Sequence, residues 1–232
     1  MGDPGPDRLK QIFAEICSTV VEADGLDFDA TAIDVVPIRE NQDFQGSRVT
    51  FMAHLKKMRI RLQVDVGLGD AVFPEPETIT YPTLLAMPGP RIRAYRKETV
   101  ISEKFEAMVA LGIKNSRMKD FYDVAVIADR FPFEGSLLSR AIVETFRQRG
   151  TQISNLDGST VLTGEFGGDI DKQVQWRAFL NRTQLTDLEP VFDAVAEKIR
   201  RFLQPVVMAL VHDEPFSGTW PPGGPWSRGG GK

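Results

Sequence analysis

Two neighbouring segments of alternating apolar and polar residues constrain the fold of this sequence most strongly. Every second residue is apolar in residues 49–55 and again in residues 60–68. A period of two is typical of β-strands that bury one face, and the two lysines between the segments suit a tight turn. We therefore predict an antiparallel hairpin with one buried face. Asp65 lies on the opposite face, which is either a solvated surface or a face that uses a carboxylate.

Residues 98–130 predict two amphipathic helices joined by a short Gly-Asn loop. At 100° per residue, the apolar stripe of the first helix consists of Val100, Met108 and Leu111. Lys104 lies in the middle of that stripe, and Asp120 lies inside the apolar band of the second helix. Such charges are costly to bury unless each finds a partner or a ligand. They are therefore either an ion pair that joins the helices or the wall of a site for phosphates or a metal.

The rest of the chain completes an α+β protein. Apolar residues at helical spacing or capping residues indicate further helices at residues 7–17, 136–149, 169–182 and 186–203. The proline-rich residues 70–97 predict an irregular connector, and the Gly- and Pro-rich residues from 214 onward predict disorder. We therefore expect a sheet domain over residues 1–97, a helical domain over residues 98–205 and a flexible tail over residues 206–232.

Composition excludes several classes of function. The 42% apolar and 26% charged residues are ordinary for a soluble globular protein. A net charge of -4 argues against nucleic-acid binding by bulk charge, and a single cysteine excludes an internal disulfide and a cysteine-based zinc site. No apolar run reaches the length of a membrane span, and the N-terminus is no signal peptide. We therefore expect a cytoplasmic protein without a membrane partner.

Two Asp-x-Asp pairs invite a metal interpretation. Asp27 and Asp29 lie in a predicted loop, whereas Asp169 and Asp171 open a predicted helix, where acidic residues suit the helix dipole. Acidic residues in such places usually need no ligand, so we expect neither pair to bind a metal. No P-loop, GxSxG or HExxH motif occurs.

Two charged motifs occupy the predicted helix pair. The first helix carries the pattern E-x-x-x-x-EK-x-x-A, formed by Glu98, Glu103, Lys104 and Ala107. The second carries R-x-KD-x-x-D, formed by Arg117, Lys119, Asp120 and Asp123. Together with the strand that carries Asp65 and the segment YPTLLAMPGPRIRAYRKETV, they resemble the AbiEii/AbiGii family, the nucleotidyltransferase-like toxins of type IV toxin–antitoxin systems. The similarity covers most of residues 3–205.

This resemblance implies a nucleotidyltransferase-like mixed sheet with helices, followed by a C-terminal helical bundle. The residues that it implies for catalysis are Asp65, Lys104 and Asp120. Those that it implies for nucleotide binding are Lys104, Arg117, Lys119 and Asp123. Asp65 would act as general base or hold the divalent metal, expected to be Mg²⁺, and Lys104 would meet the triphosphate of the NTP substrate. The aspartates of the second helix would orient the lysines or the waters of the metal.

Family members carry a Gly-Gly or Gly-Ser turn and an Asp-x-Asp pair just ahead of a stretch that resembles GDPGPDRL, with which this chain begins. That pair holds the divalent metal, and Asp27 and Asp29 lie too late in the chain to replace it. We therefore expect the N-terminal part of the sheet domain to be incomplete. Because nucleotidyl transfer needs the metal, we also expect impaired activity.

The resemblance implies transfer of a nucleoside monophosphate from an NTP to an RNA acceptor, with the tRNA 3′ end as the expected acceptor. The basic residues that could bind RNA are dense in one region, namely Lys56, Lys57, Arg59, Arg61, Arg91, Arg93, Arg96 and Lys97. The cognate antitoxin is expected to act without obligatory binding to the toxin. Two alternatives stay open: an inactive member that binds a nucleotide or a partner without turnover, and a helical scaffold in which Lys104 and Asp120 merely pair.

Overall fold

A computed structural model describes residues 5–38, 46–67, 69, 72–156, 159–183 and 189–227. The chain divides into two compact units, Met1–Asp70 and Ala71–Lys232. Each unit contains helical and strand residues, so the predicted α+β class is confirmed. The division falls before the proline-rich segment, which therefore groups with the helices rather than with the first sheet.

The first unit is a helix packed on a small antiparallel sheet. Its elements are α1 (Gly5–Cys17), β1 (Leu26–Phe28), β2 (Asp34–Ile38), β3 (Gly46–Leu55) and β4 (Met58–Gly67). β3 is the central strand, because it pairs with β1 and β2 along one edge and with β4 along the other. Lys56 forms the β3–β4 turn with a φ of 55°. The predicted hairpin is confirmed.

Alternation along β3 decides which face of this sheet is buried. Val49 and Phe51 are at most 8% exposed and pack with Leu9 of α1. The ring of Phe13, also from α1, lies 5.8 Å from the ring of Phe51. Val64 on the edge strand β4 remains 38% exposed. The predicted apolar face is therefore buried on β3 except at Leu55, which is half-buried, and it is only partly covered on β4.

The proline-rich segment differs from the irregular connector that the sequence predicts. β5 (Glu77–Thr80) and β6 (Arg91–Ala94) form an antiparallel ribbon in the second unit. The β-branched residues of this ribbon suit strands, and every proline of the segment lies outside the paired residues, where no ladder hydrogen bond is lost. Composition conceals the strands because the loop between them is rich in proline.

The rest of the second unit is a bundle of helices around one apolar core. Its elements are α2 (Lys97–Leu111), α3 (Met118–Arg130), β7 (Phe133–Glu134), α4 (Gly135–Gln148), α5 (Gly164–Gly168), α6 (Ile170–Thr183), α7 (Phe192–Val211) and β8 (Thr219–Trp220). α7 contacts α3, α4, α5 and α6. Its buried Phe192 ring lies 5.3 Å from Phe121 of α3, and its Phe202 ring lies 4.9 Å from Phe133. The helices therefore share one core organised around α7.

The helix α7 extends further than predicted. The predicted capping box at Thr186 lies outside the described residues, and α7 begins without a side-chain cap. The helix contains Pro205, which costs about 3 kcal/mol in a helix interior. Burial of Val206 and Val207, at about 1.5–3 kcal/mol each, offsets that cost. None of the described helices combines the length and the apolar character that crossing a lipid bilayer requires.

Residues 206–227 differ from the predicted flexible tail. The first of them complete α7, and further on β8 pairs with β7. The indole N–H of Trp220 donates to the Ala128 carbonyl at 2.8 Å, and that of Trp226 donates to the Phe202 carbonyl at 2.7 Å. A buried indole needs such a partner, and both rings have one. The Gly- and Pro-rich composition predicts disorder because composition alone carries no information about the contacts that Trp220 and Trp226 make with the bundle.

Candidate functional site

The core-facing side of α2 coincides with the predicted stripe only at Met108, which is 1% exposed. Ile101 and Phe105 are fully buried, whereas Val100 and Leu111 are only half-buried. The core side is therefore centred near Phe105, which lies about 100° around the helix from Lys104. Lys104 itself lies on the flank of the helix, with 19% of its side chain exposed.

Two buried polar residues explain why the sequence pattern predicts the wrong face of α2. Ser102 Oγ lies 2.8 Å from Thr145 Oγ1 of α4, and the hydroxyls share a hydrogen bond. Glu106 accepts a hydrogen bond from Arg149 at 2.9 Å. Hydrophobic periodicity assigns polar residues to the solvent side, because it carries no information about partners that α4 and the residue after it supply.

Lys104 joins α2 to α3 through two carboxylates. Its ammonium nitrogen lies 2.7 Å from Asp120 Oδ1 and 2.7 Å from Asp123 Oδ2. Lys119 Nζ also donates to Asp123 Oδ2 at 2.7 Å, at i, i+4 spacing along α3. We call these four residues the Lys104 cluster. The structure therefore brings together four of the sequence-predicted site residues.

The Lys104 cluster is charged and partly open to solvent. Burial lowers the pKa of Lys104, but hydrogen bonds and charges from Asp120 and Asp123 outweigh burial and raise the pKa above its ordinary value. An ammonium group has three N–H donors, and the two carboxylates use two of them. Lys119 is 72% exposed. An anionic ligand could therefore reach the cluster from the side of Lys119 and use the third donor of Lys104.

The loop before α3 fixes the position of Arg117. Gly112 ends α2 with a φ of 51°, in the region that glycine adopts with little strain. Asn115 is fully buried, and its Oδ1 accepts a hydrogen bond from the backbone N–H of Arg117 at 2.8 Å. Arg117 itself is exposed at the N-terminus of α3. Arg117 thus lies in sequence next to the Lys104 cluster, but none of the cluster's described contacts includes it.

Sequence patterns alone did not identify Lys172, which supports this loop. Lys172 from α6 is 2% exposed and donates to the backbone carbonyl of Asn115 at 2.7 Å. Burial lowers the pKa of Lys172, and the charges of Asp169 and Asp171 oppose this effect. An asparagine that follows a helix-ending glycine is a weak signal for such a loop. No pattern around Lys172 indicates its role.

Asp65 lies in the first unit and has partners of its own. Arg48, directly opposite on β3, donates from Nε at 2.8 Å and from its terminal nitrogen at 2.9 Å. Gln63 donates to the same carboxylate at 3.3 Å. These hydrogen bonds, led by the one from Arg48, lower the pKa of Asp65. The contacts favour the interpretation of a solvated sheet face, and the catalytic and metal roles of Asp65 stay predictions.

Asp27 lies in β1 opposite His54, so its predicted loop position is wrong, because residues 26–28 pair with β3. Asp29 and Asp169 make the contacts of loop and helix-start residues. Asp29 Oδ1 accepts hydrogen bonds from the backbone N–H and the hydroxyl of Thr31. Asp169 Oδ1 accepts from the backbone N–H of Lys172 in the first turn of α6. Across the described ranges, no three His, Cys, Asp or Glu side chains come together as metal ligands. The expectation that neither pair binds a metal stays a prediction.

A cavity of about 390 Å³ opens beside the N-terminus of α2. Its walls include Phe133, Trp220 and two of the basic residues expected to bind RNA, Arg96 and Lys97. None of the residues implied for catalysis or nucleotide binding lines it. The basic residues expected to gather for RNA binding are divided between the two units, four in each. Their convergence at one site stays a prediction.

An α+β chain that holds a lysine–aspartate cluster between two helices fits the class of nucleotidyltransferase-like proteins. A family model described as "Nucleotidyl transferase AbiEii toxin, Type IV TA system" matches residues 2–198. The chain belongs to this family of toxins, which confirms the resemblance of its helix motifs. No curated protein and no solved structure matched the chain. Membership implies a nucleotide substrate and an antitoxin as partner.

Proposed function

We propose that this protein transfers a nucleoside monophosphate from an NTP to the 3′ end of an RNA, with tRNA as the acceptor. Family membership supports nucleotidyl transfer as the type of reaction. The observation that carries the proposal is the Lys104 cluster, in which a charged ammonium with a third donor lies beside an exposed second lysine. NTP and tRNA are cytoplasmic, and the cytoplasm is the location that we propose.

Each member of the Lys104 cluster has a separate task in this proposal. Lys104 and Lys119 bind the triphosphate as positive charges. Asp120 and Asp123 hold the two ammonium groups in place, so that little reorganisation is needed when the phosphates bind. Arg117, exposed at the start of α3, contacts the nucleotide or the acceptor.

The proposed role of Asp65 requires a change of partner. Its carboxylate must leave Arg48 before it can act as general base or as a metal ligand. If a divalent metal is bound there, Asp65 would be one of the residues that hold it, and the metal would supply Lewis-acid chemistry at the phosphates. As the resemblance of the sequence leads us to expect, we also propose that the protein transfers nucleotides weakly.

Transfer of label tests the proposal directly. The purified chain is incubated with each α-labelled NTP, total RNA and Mg²⁺, and label in the RNA is measured. We expect weak labelling that falls to background in Lys104→Met and Asp65→Ala. Lys198→Met, which removes a lysine of the surface pair with Asp129, is the matched control and should label RNA like the parent. Equal labelling by Lys104→Met and the parent would contradict the proposal.

A second candidate is a module that binds a nucleotide or a partner without turnover. It is favoured by the ion pairs at Asp65, Asp120 and Asp123, which leave these carboxylates engaged with cations. Under this candidate, NTP raises the melting temperature of the parent but not of Lys104→Met, and no RNA is labelled. We further propose that the antitoxin acts without binding the toxin, so antitoxin should not co-purify with the chain.

A further inference from the structure

The β5–β6 ribbon presents one strongly basic face. Thr78 lies directly opposite Arg93, and Thr80 lies directly opposite Arg91. Directly opposite residues share a face of the ribbon, so these four side chains lie together. All four are exposed. The face therefore consists of two guanidinium groups and two hydroxyl groups.

The charge of this face is not neutralised by neighbouring acidic side chains. Glu77, the acidic residue of β5, pairs with Ala94 and therefore lies on the other face. Within the described part of the chain, no ion pair joins Arg91 or Arg93 to a carboxylate. The protein as a whole carries a net charge of -4. An anionic polymer would thus be repelled by the bulk of the protein and attracted to this local face.

The spacing of the two arginines suits a repeating anion. Arg91 and Arg93 are two residues apart on one strand, which separates them by about 6.6–6.8 Å along the ribbon. Each guanidinium can donate two parallel hydrogen bonds to one phosphate, and threonine hydroxyls donate to phosphate oxygens as well. The face can therefore bind successive phosphates of one strand.

The loop at the end of the ribbon adds an exposed aromatic ring. Tyr81 is 54% exposed, and its backbone N–H donates to the Pro90 carbonyl at 2.8 Å. Thr83 Oγ1 donates within the loop to the Leu85 and Met87 carbonyls at 3.0 and 3.1 Å. The loop therefore closes on itself and leaves the tyrosine ring in solvent. Bases of a single strand stack on such rings without sequence preference.

We infer that the β5–β6 ribbon is the surface that binds the acceptor RNA, with its sugar–phosphate backbone along Arg91 and Arg93. This inference rests on the proposed function for the identity of the acceptor. The paired arginines and threonines favour RNA over a protein partner, because four polar groups on one face match a phosphate backbone. Leu84 at the tip is fully exposed and apolar, so an anionic lipid surface is the rival occupant that an experiment must exclude.

Binding without NTP separates this inference from the proposed function. Fluorescence anisotropy measures the affinity for labelled tRNA at several salt concentrations, with no transfer possible. Loss of two phosphate contacts lowers the slope of log K against log salt by about 1–2. We expect this change in Arg91→Gln/Arg93→Gln. The matched control is Arg182→Gln/Arg201→Gln, which removes two exposed arginines from α6 and α7 and should retain the parent slope.

Equal slopes for the two double variants, or no tRNA binding by the parent, would overturn the inference. Binding of the parent to phosphatidylserine vesicles that is lost in Leu84→Ser, with an unchanged tRNA slope in Arg91→Gln/Arg93→Gln, would assign the ribbon to lipid. If the tRNA slope changes but no NTP ever labels RNA, the surface stands and the proposed transfer fails. If RNA is labelled and the slope does not change, the transfer stands and the surface fails.

Discussion

Helix α2 carries one charged residue with several partners on each of two sides, namely Glu106 and Lys104. The two residues differ in how many of their hydrogen-bonding groups have a described partner. On one side Glu106, 6% exposed, accepts hydrogen bonds from Arg149 and from Thr151, one on each carboxylate oxygen. On the other side Lys104 holds two carboxylates, keeps a third donor and adjoins the exposed Lys119. A carboxylate bonded on both oxygens stabilises the bundle, whereas a cluster with a remaining donor can also accept a ligand.

The largest effect is expected at Glu106. Glu106→Ala removes a mostly buried carboxylate that accepts from both Arg149 and Thr151, which lowers the free energy of unfolding by about 3 kcal/mol. Urea denaturation measures this loss. The control is Glu144→Ala, which removes the carboxylate of a surface pair with Arg147 and should cost less than about 1 kcal/mol. Equal losses of unfolding free energy in the two variants would contradict the expectation that the buried Glu106–Arg149 pair stabilises the protein more than the surface Glu144–Arg147 pair does.

An intermediate effect is expected at Lys104. Lys104→Met leaves two partly buried carboxylates side by side, which lowers the free energy of unfolding by about 2 kcal/mol. Asp123 keeps its pair with Lys119, so adding Asp120→Leu removes the carboxylate that has lost its described cation and should recover part of that loss, as a double-mutant cycle can measure. RNA labelling should stay lost in the double variant. If the double variant recovered both its stability and its RNA labelling, the Lys104 cluster would have a structural role only, and its proposed role in phosphate binding would be contradicted.

The contrast between the two sides of α2 also explains what the sequence could predict. Alternation identifies the β3–β4 hairpin because Val49 and Phe51 bury against α1, as a simple pattern requires. The motif spacing correctly groups Lys104 with Asp120 and Asp123. The pattern predicts the wrong face for α2, because the buried Ser102 and Glu106 have partners some forty residues away, in α4 and just after its end. Long-range polar partners leave no local periodicity.

The ordered C-terminal segment escapes prediction for a related reason. The ring of Trp226 stacks on that of Phe202 with centroids 5.8 Å apart, and the ring of Trp220 packs against it at a tilt with centroids 5.0 Å apart. Their indole N–H groups bond to carbonyls of α3 and α7, which the local sequence does not reveal. The roles of Asp65 and of the basic residues depend on how partners from the whole chain meet, so sequence spacing leaves them as predictions.

The smallest effect on stability is expected at Lys119. A change at this residue is also the sharpest test of the difference between the Lys104 and Glu106 sides of α2. Lys119→Ala removes an exposed i, i+4 pair and should change the free energy of unfolding by less than about 0.5 kcal/mol. The same change should weaken NTP binding about fivefold, or about 1 kcal/mol, because one positive charge beside the third donor of Lys104 is gone. Isothermal titration with NTP measures the affinity, and Lys198→Ala serves as the control. Unchanged NTP affinity in Lys119→Ala would mean that phosphates do not approach from the exposed side, and the cluster would then resemble the Glu106 side of the helix.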